Sequence, residues 1–175
     1  MALVLALSAA AELVNENLLA ALPPGYKIAF RDQNKNLLIT EMVPAGETVN
    51  DWTEMVTVQV FRGLNAPLDQ FMNNIESSWI GACKGADGAQ PIARAIENGY
   101  PTLVWLLSCP LNPGTGRPEL TWFKAIQGND SFYVVQKAFR FMPAKDQIAK
   151  WVGYLKAVRV CDSRLKDRAC PPTRK

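Results

Sequence analysis

Polar and apolar residues change their spacing several times along the chain, and each change predicts a different element. Three stretches between residues 26 and 61 are predicted strands, and the third of them alternates with a period of two around Val56, Val58 and Val60, which is typical of a half-buried strand. Apolar residues then recur at three- and four-residue intervals from Leu68 to Trp79, which indicates an amphipathic helix that begins near Pro67 and stops at Gly81. The other predicted helices are Leu13–Leu22 and Ala144–Lys156, and the predicted strands are Tyr26–Arg31, Leu37–Val43, Thr53–Phe61, Ile92–Glu97, Thr102–Cys109, Leu120–Ile126 and Phe132–Phe141.

Tight turns join the strands that follow the middle helix, and they decide how the sheet is expected to pair. Asn98-Gly99 is among the strongest hairpin signals, and links of this length cannot make parallel crossovers. The segment Leu103–Leu107 is apolar on both faces, so we expect its strand in the centre with both faces covered. The pattern therefore predicts an α+β fold, an antiparallel sheet of about six or seven strands with helices packed on its faces.

The first eleven residues carry no charge and end in Ser8-Ala9-Ala10-Ala11. An apolar run of this length closed by small residues is typical of a secretory signal peptide around its cleavage site. The first basic residue is Lys27, so a plain apolar N-terminal helix is the alternative. We divide the chain into a secretion-signal-like or apolar segment (1–22), a single domain (23–160) and a disulfide-closed basic tail (161–175), without a transmembrane span and with a periplasmic or extracellular location.

Four cysteines support export, because an even count in an exported chain indicates disulfides. Cys161 and Cys170 would close a short loop. Cys83 would then pair with Cys109 and clamp the end of the middle helix to the end of a strand. The alternative is four reduced thiols in a cytosolic protein.

The chain contains no histidine, which removes the Ser-His-Asp and Cys-His triads and histidine-ligated zinc. The usual phosphate-binding glycine motifs are missing too, so we expect no metal and no cofactor. Without histidine, no side chain has an ordinary pKa between about 5 and 8. Stability is therefore expected to be flat over that pH range.

The formal net charge of +3 resides in the C-terminal tail, where residues 162–175 hold five basic and two acidic side chains. A basic tail permits peripheral contact with an anionic membrane, although it is more simply a solvated terminus. It lacks the interleaved aromatic residues that bind single-stranded nucleic acid, so no nucleic-acid partner is expected.

Acidic residues gather around the second predicted hairpin, beside a tryptophan. Trp52 is a large aromatic residue in a polar loop, and it is either a core plug that closes the end of the sheet or a binding anchor flanked by Asp51 and Glu54. Paired carboxylates can also cleave glycosidic bonds, which makes Glu41 and Glu54 the candidates for a glycosidase-like hydrolase.

The order of elements, strand–strand–strand–helix–four strands–helix, resembles the PsbP-like superfamily and its DcrB-like bacterial secreted members. The resemblance covers about residues 23–160 and includes the helix near Pro67 and the closing helix with Trp151. It implies interaction rather than catalysis. The sequence thus predicts a secreted or periplasmic, non-catalytic protein-binding or assembly module whose partner is another envelope protein, with the carboxylate hydrolase as the alternative.

Overall fold

Residues 13–172 are described by the computed structural model, and they form two sheets, two α-helices and one short 3-10 helix. The predicted leader Met1–Ala11 lies outside these residues, as do Arg174 and Lys175 of the tail. The strands are β1 (Glu16–Leu19), β2 (Tyr26–Gln33), β3 (Leu37–Pro44), β4 (Glu54–Arg62), β5 (Gln90–Glu97), β6 (Tyr100–Asn112), β7 (Arg117–Gln127), β8 (Ser131–Phe139) and β9 (Arg159–Asp162); the helices are α1 (Leu68–Ala82), α2 (Lys145–Ala157) and the 3-10 helix Lys166–Arg168.

Seven of the strands form one antiparallel sheet in the order β2-β3-β4-β8-β7-β6-β5, and β1 pairs with β9 in a second, two-stranded sheet. The predicted α+β fold and antiparallel sheet are confirmed. The turn Asn98-Gly99 connects β5 to β6 as expected, and both of its residues have positive φ (49° and 78°), which asparagine and glycine tolerate best.

Side-chain alternation gives the large sheet two apolar faces, and each helix covers one of them. The α1 face buries Leu103, Trp105 and Phe123 beneath α1, which contributes Met72 and Phe71. The α2 face contacts α2, and its core consists of Met42, Val56, Trp122, Ile126, Tyr133, Val135 and Phe139 with Trp151 and Leu155 of α2. This arrangement confirms the prediction of helices packed on the faces of the sheet.

The apolar strand β6 is not central, which corrects the prediction made from Leu103–Leu107. It lies second from the edge, between β5 and β7, whereas β8 occupies the centre. Both of its faces are nevertheless covered, because Leu103 and Trp105 pack beneath α1 and Leu106 packs against the α2-face core. The outer strand β5 is largely exposed and β6 lies just inside it, so burial on both faces does not require the middle position.

The predicted helix Leu13–Leu22 is wrong, because its centre is the strand β1. Asn15 adopts φ of 63°, outside the helical region, and Glu16–Leu19 pair with β9. The strand β9 was not predicted, and it crosses the boundary placed between residues 160 and 161. Both strands are four residues long, so neither carries enough alternation to reveal a period. Their long-range pairing overrides the local pattern.

Both predicted disulfides are present, Cys83–Cys109 and Cys161–Cys170, with Cα atoms 5.9 and 4.9 Å apart. Cys83 ends α1 and Cys109 lies in β6, so this bridge fixes the helix to the sheet as expected. Cys161 lies in β9 and is buried, so the second bridge holds the tail to the small sheet.

We expect the Cys83–Cys109 bridge to contribute more stability than the shorter one. The chain-entropy relation gives about 3.5 kcal/mol for its separation of 26 residues and about 2.6 kcal/mol for the separation of 9 residues at Cys161–Cys170. Urea unfolding of the Cys83→Ser/Cys109→Ser and Cys161→Ser/Cys170→Ser double variants measures both losses. A larger loss from the shorter loop would contradict this ranking.

Candidate functional site

Trp52 is buried, with 7% of its surface exposed, and it packs with Val43, Met55 and Ala138 on the α1 face. The guanidinium of Arg140 lies 3.7 Å from the centre of its ring and donates a hydrogen bond to the Trp52 carbonyl. Of the two roles that the sequence leaves open for Trp52, its burial favours the core plug: the indole turns inward and closes the end of the sheet over an apolar surface of β3, β4 and β8. A binding role for Trp52 stays a prediction.

Asp51 and Glu54 flank this tryptophan in sequence, but their side chains take different directions. Asp51 is exposed in the loop, where its backbone N–H donates to Thr48 Oγ1 at 3.2 Å. Glu54 begins β4 and points to the α2 face, where Lys137 and Tyr26 hold it. The three residues do not form one surface with Trp52 at its centre. A binding role for Asp51 or Glu54 stays a prediction.

The carboxylates of the proposed hydrolase pair lie on opposite faces of the sheet. Met42 pairs with Val56, and both belong to the α2-face core. Glu41 precedes Met42 and so projects to the α1 face, whereas Glu54 lies two residues before Val56 and projects to the α2 face. A retaining glycosidase needs two carboxyl groups about 5 Å apart in one cleft, and Glu41 with Glu54 does not supply that arrangement.

A buried lysine is the strongest electrostatic feature that the strand prediction overlooked. Lys137 of β8 is 0% exposed, and its ammonium donates to Glu54 Oε2 at 2.7 Å and to the Tyr26 hydroxyl at 3.0 Å. Its Nζ lies 3.8 Å from the ring centre of Trp151 and 4.4 Å from that of Phe139. Aromatic faces and a carboxylate therefore replace the water that the ammonium loses.

This environment shifts the pKa values of the whole cluster. Burial lowers the pKa of Lys137 to about 8, although its hydrogen bond to the Glu54 carboxylate works in the opposite direction. Burial also works to raise the pKa of Glu54, but the hydrogen bonds from Lys137 and Tyr26 outweigh it and leave that pKa lowered. Burial and the Glu54 carboxylate raise the pKa of Tyr26, which keeps its hydroxyl protonated as a donor. Because Lys137 has no exposed surface, the cluster supports the fold and offers a substrate no amine.

The flat pH response expected between about pH 5 and 8 stays a prediction, and the buried lysines add a pH dependence just above that range. A lysine of pKa 10.5 in the unfolded chain holds more protons than Lys137 of pKa about 8 in the folded chain. The free energy of unfolding therefore rises between about pH 8 and about pH 10. Below about pH 8 this increase is absent, because Lys137 is protonated in both the folded and the unfolded chain. Burial lowers the pKa of Lys124 as well, which adds to the rise. Above this window the buried tyrosines with raised pKa values reverse the trend.

Urea unfolding at several pH values checks this expectation. The free energy of unfolding of the wild type should rise between about pH 8 and about pH 10, and Lys137→Met should show a smaller rise. Lys84→Met, at an exposed lysine, serves as the matched control and should keep the wild-type profile. An unchanged profile in Lys137→Met would contradict the assignment to Lys137.

Lys124 of β7 is a second buried lysine that sequence reasoning missed. Its ammonium donates to the carbonyls of Leu155 and Val158 at 2.9 and 2.8 Å and pairs with Glu97, so it binds the C-terminal end of α2. Both lysines are in phase with the inward apolar residues of their strands, Trp122 and Ile126 in one and Val135 and Phe139 in the other. A lysine at an inward-facing position of the strand alternation is therefore the sequence signal that would have indicated both of them.

An opening with an apolar floor lies on the α2 face, beside β1. It is a groove of about 640 Å³. The segment 14–22, which contains β1, forms one side, and Ile28, Leu38, Val58 and Val60 of β2–β4 supply apolar side chains to the floor. We call this the β1 groove.

Charged residues of both signs line the β1 groove. Arg31 and Arg62 come from β2 and β4, and Glu16 and Asp130 come from β1 and the turn between β7 and β8. Arg62 donates to the Asn34 carbonyl at 2.7 Å, and Arg31 donates to Thr40 Oγ1 at 3.3 Å. An apolar floor with charges around it is the composition of a protein-binding surface, where the core of the contact is apolar and its rim polar.

Two basic residues of the predicted tail are engaged within the fold. Arg164 bonds to Asp162 and Asp130, and the Arg168 guanidinium lies 4.8 Å from the ring centre of Tyr100. Peripheral membrane contact through the tail stays a prediction.

Among residues 13–172, no helix has the length and apolar character needed to cross a membrane. Over the same range, no three side chains of the histidine, cysteine, aspartate and glutamate types come together where they could hold a metal ion.

No protein-family profile and no curated protein matches this chain. Solved structures that are partly similar to it include the Saccharomyces cerevisiae Ran-binding protein Mog1p and a glutamate-to-alanine mutant of Mog1. Each superposes with a TM-score of 0.45 at 11% sequence identity, over 81% of this chain and 85% of the other. A likeness at this level transfers neither a partner nor an activity.

Proposed function

We propose that this chain is a secreted or periplasmic, non-catalytic module that binds another envelope protein through the β1 groove. Kinship with the PsbP-like superfamily is part of the proposal, and the order of the elements from β2 to α2 supports it. The role is recognition or assembly of a complex.

The observation that carries the proposal is the β1 groove itself. It combines an open apolar floor with charges of both signs. It lies on the part of the α2 face that helix α2 does not cover. Ile28 at this groove is 47% exposed in an edge strand, so a partner could bury it without displacing the core. Burying such apolar surface contributes roughly 25 cal/mol per Å² to association before ordering costs.

The location outside the cytoplasm is supported by the cysteines. All four are paired in two bridges, and disulfides persist in oxidising compartments. Thiol labelling of the denatured protein from its native compartment tests this part: labelling should require prior reduction. Four thiols that label without reduction would contradict it.

Site-specific photo-crosslinking tests the groove. A photoreactive phenylalanine analogue at position 28 should form a discrete adduct with an envelope protein. The same analogue at Phe30 serves as the control, because Phe30 is on the same strand and 42% exposed but pairs with Glu41 and so faces the other side. The substitution Ile28→Glu should weaken capture of that partner at least tenfold. Equal adducts from both positions, or none from position 28, would contradict the proposal.

A further inference from the structure

The carboxylate of Glu16 occupies a receptor made by the turn between β7 and β8. Three successive backbone N–H groups donate to it, from Asn129 at 2.7 Å, Asp130 at 3.1 Å and Ser131 at 3.3 Å. The hydroxyl of Tyr133 donates a fourth hydrogen bond at 3.0 Å. Successive backbone N–H groups that converge in a turn form an anion-binding nest, and such nests capture carboxylates of peptides.

The turn is shaped around this carboxylate. A Cβ atom at Gly128 would collide with Glu16 Oε1 and would lie 2.6 Å from the Ser131 carbonyl oxygen, so only glycine fits there. Burial and the nearby Glu16 carboxylate raise the pKa of Tyr133, so its hydroxyl keeps the proton that it donates. The receptor is therefore specific for an acceptor that bears negative charge.

The backbone of β1 adds a second element of recognition. Glu16 lies opposite Asp162 and Leu18 lies opposite Val160 in the antiparallel register with β9. Leu18 packs against the α2-face core, where Val160 is buried. The nest and the edge of β9 thus select an extended segment with a glutamate followed two residues later by a leucine.

The strand β1 pairs with a single neighbouring strand. Within residues 13–172 its strand hydrogen bonds go to β9 alone, and it is only four residues long. The Tyr154 hydroxyl donates to the Ala21 carbonyl at 2.8 Å, and Pro23-Pro24 then separate the segment from β2. A four-residue strand outside the main sheet can open locally at a lower free energy than global unfolding.

We propose that β1 is an intramolecular occupant of a peptide-binding track, made of the β7–β8 nest and the edge of β9. The occupant in trans is an extended partner segment with the Glu-x-Leu spacing of Glu16 and Leu18. This inference rests on the proposed function and specifies the chemistry of the partner, since Glu16, Asp130 and Tyr133 also line the β1 groove. Displacement of β1 would add a strand to β9, the β-augmentation mode of recognition.

Fluorescence anisotropy with two synthetic peptides tests the track. One peptide spans residues 13–22, and the other differs only by glutamine at the position of Glu16. The receptor is the full chain carrying Glu16→Gln, which weakens the intramolecular occupant and keeps its shape. The glutamate peptide should bind at least tenfold more tightly than the glutamine peptide. The wild type should give the same ranking at higher peptide concentration, because its own β1 competes at high effective concentration.

A second receptor variant separates the nest from the rest of the surface. Adding Gly128→Ala to Glu16→Gln closes the nest, and it should lower the affinity for the glutamate peptide at least tenfold. Circular dichroism melts verify that each receptor is folded, and the wild-type ranking provides the test if a variant is not. Equal affinity for both peptides, or no binding by either, would overturn the proposal.

A second copy of this chain is the competing occupant. A wild-type dimer that Glu16→Gln abolishes, in size-exclusion chromatography with light scattering, would overturn the partner segment in favour of exchange of β1 between copies. The crosslinking experiment separates this inference from the proposed function. If position 28 forms an adduct but the two peptides bind equally, the peptide-binding track is rejected and the proposed function stands. If the glutamate peptide binds selectively but position 28 forms no adduct, the proposed envelope partner in the β1 groove is rejected and the track stands.

Discussion

Glu54→Gln is expected to lower the free energy of unfolding by about 3–5 kcal/mol at neutral pH, because it leaves the charge of Lys137 buried without a carboxylate. Lys137 is 0% exposed and Glu54 is its ion-pair partner at 2.7 Å. Glutamine keeps the size and the carbonyl acceptor, so the loss reports the charge rather than a cavity. Because Glu54 raises the pKa of Lys137, the lysine of the variant releases its proton below about pH 8, so the penalty should shrink as the pH rises towards 8 and stay constant above it. Urea unfolding measures both effects.

Glu41→Gln is the matched control, on the neighbouring strand and the opposite face. Burial raises the pKa of Glu41, so removing its charge should change stability by less than about 0.5 kcal/mol. In the double variant Glu54→Gln/Lys137→Met, most of the lost unfolding free energy should be recovered, because the buried lysine charge without a partner is no longer present. If Glu54→Gln lowers the free energy of unfolding no more than Glu41→Gln does, the ion pair between Glu54 and Lys137 does not stabilise the fold as we infer.

Trp52→Ala is expected to cost about 3–5 kcal/mol, the range for truncating a buried aromatic residue. The indole fills the space over Val43, Met55 and Ala138, and Arg140 stacks on it. The substitution leaves a cavity and also removes the partner of a guanidinium that burial makes harder to charge, since burial lowers the pKa of Arg140. Thermal and urea unfolding measure the loss.

Trp52→Phe keeps most of the buried volume and should lose much less stability than Trp52→Ala. A Trp52→Ala protein with unchanged stability but reduced partner capture would restore the indole as a surface anchor. A large loss of stability instead means that partner binding by this variant reports folding, so the groove variant Ile28→Glu is the more informative probe of recognition.

Several features were determined by the sequence alone. Short apolar or alternating runs between turn signals located the seven strands of the main sheet, the three- and four-residue stripes located α1 and α2, and Asn98-Gly99 located a hairpin. These signals are local, because each period is written within a few consecutive residues. Both disulfides were predictable for a similar reason, since four cysteines and one short loop leave few pairings.

The tertiary structure decided what depends on residues far apart in the chain. The strand β1 exists because β9 pairs with it, across 140 to 146 residues, so its local pattern could not disclose it. Strand register placed Glu41 and Glu54 on opposite faces and brought Lys137 beside Glu54 from another strand. The Glu16 nest needs the N-terminal strand and the β7–β8 turn together. Local periodicity specifies elements, whereas sites arise from long-range packing, and neither the groove nor the nest has a signature in any single segment.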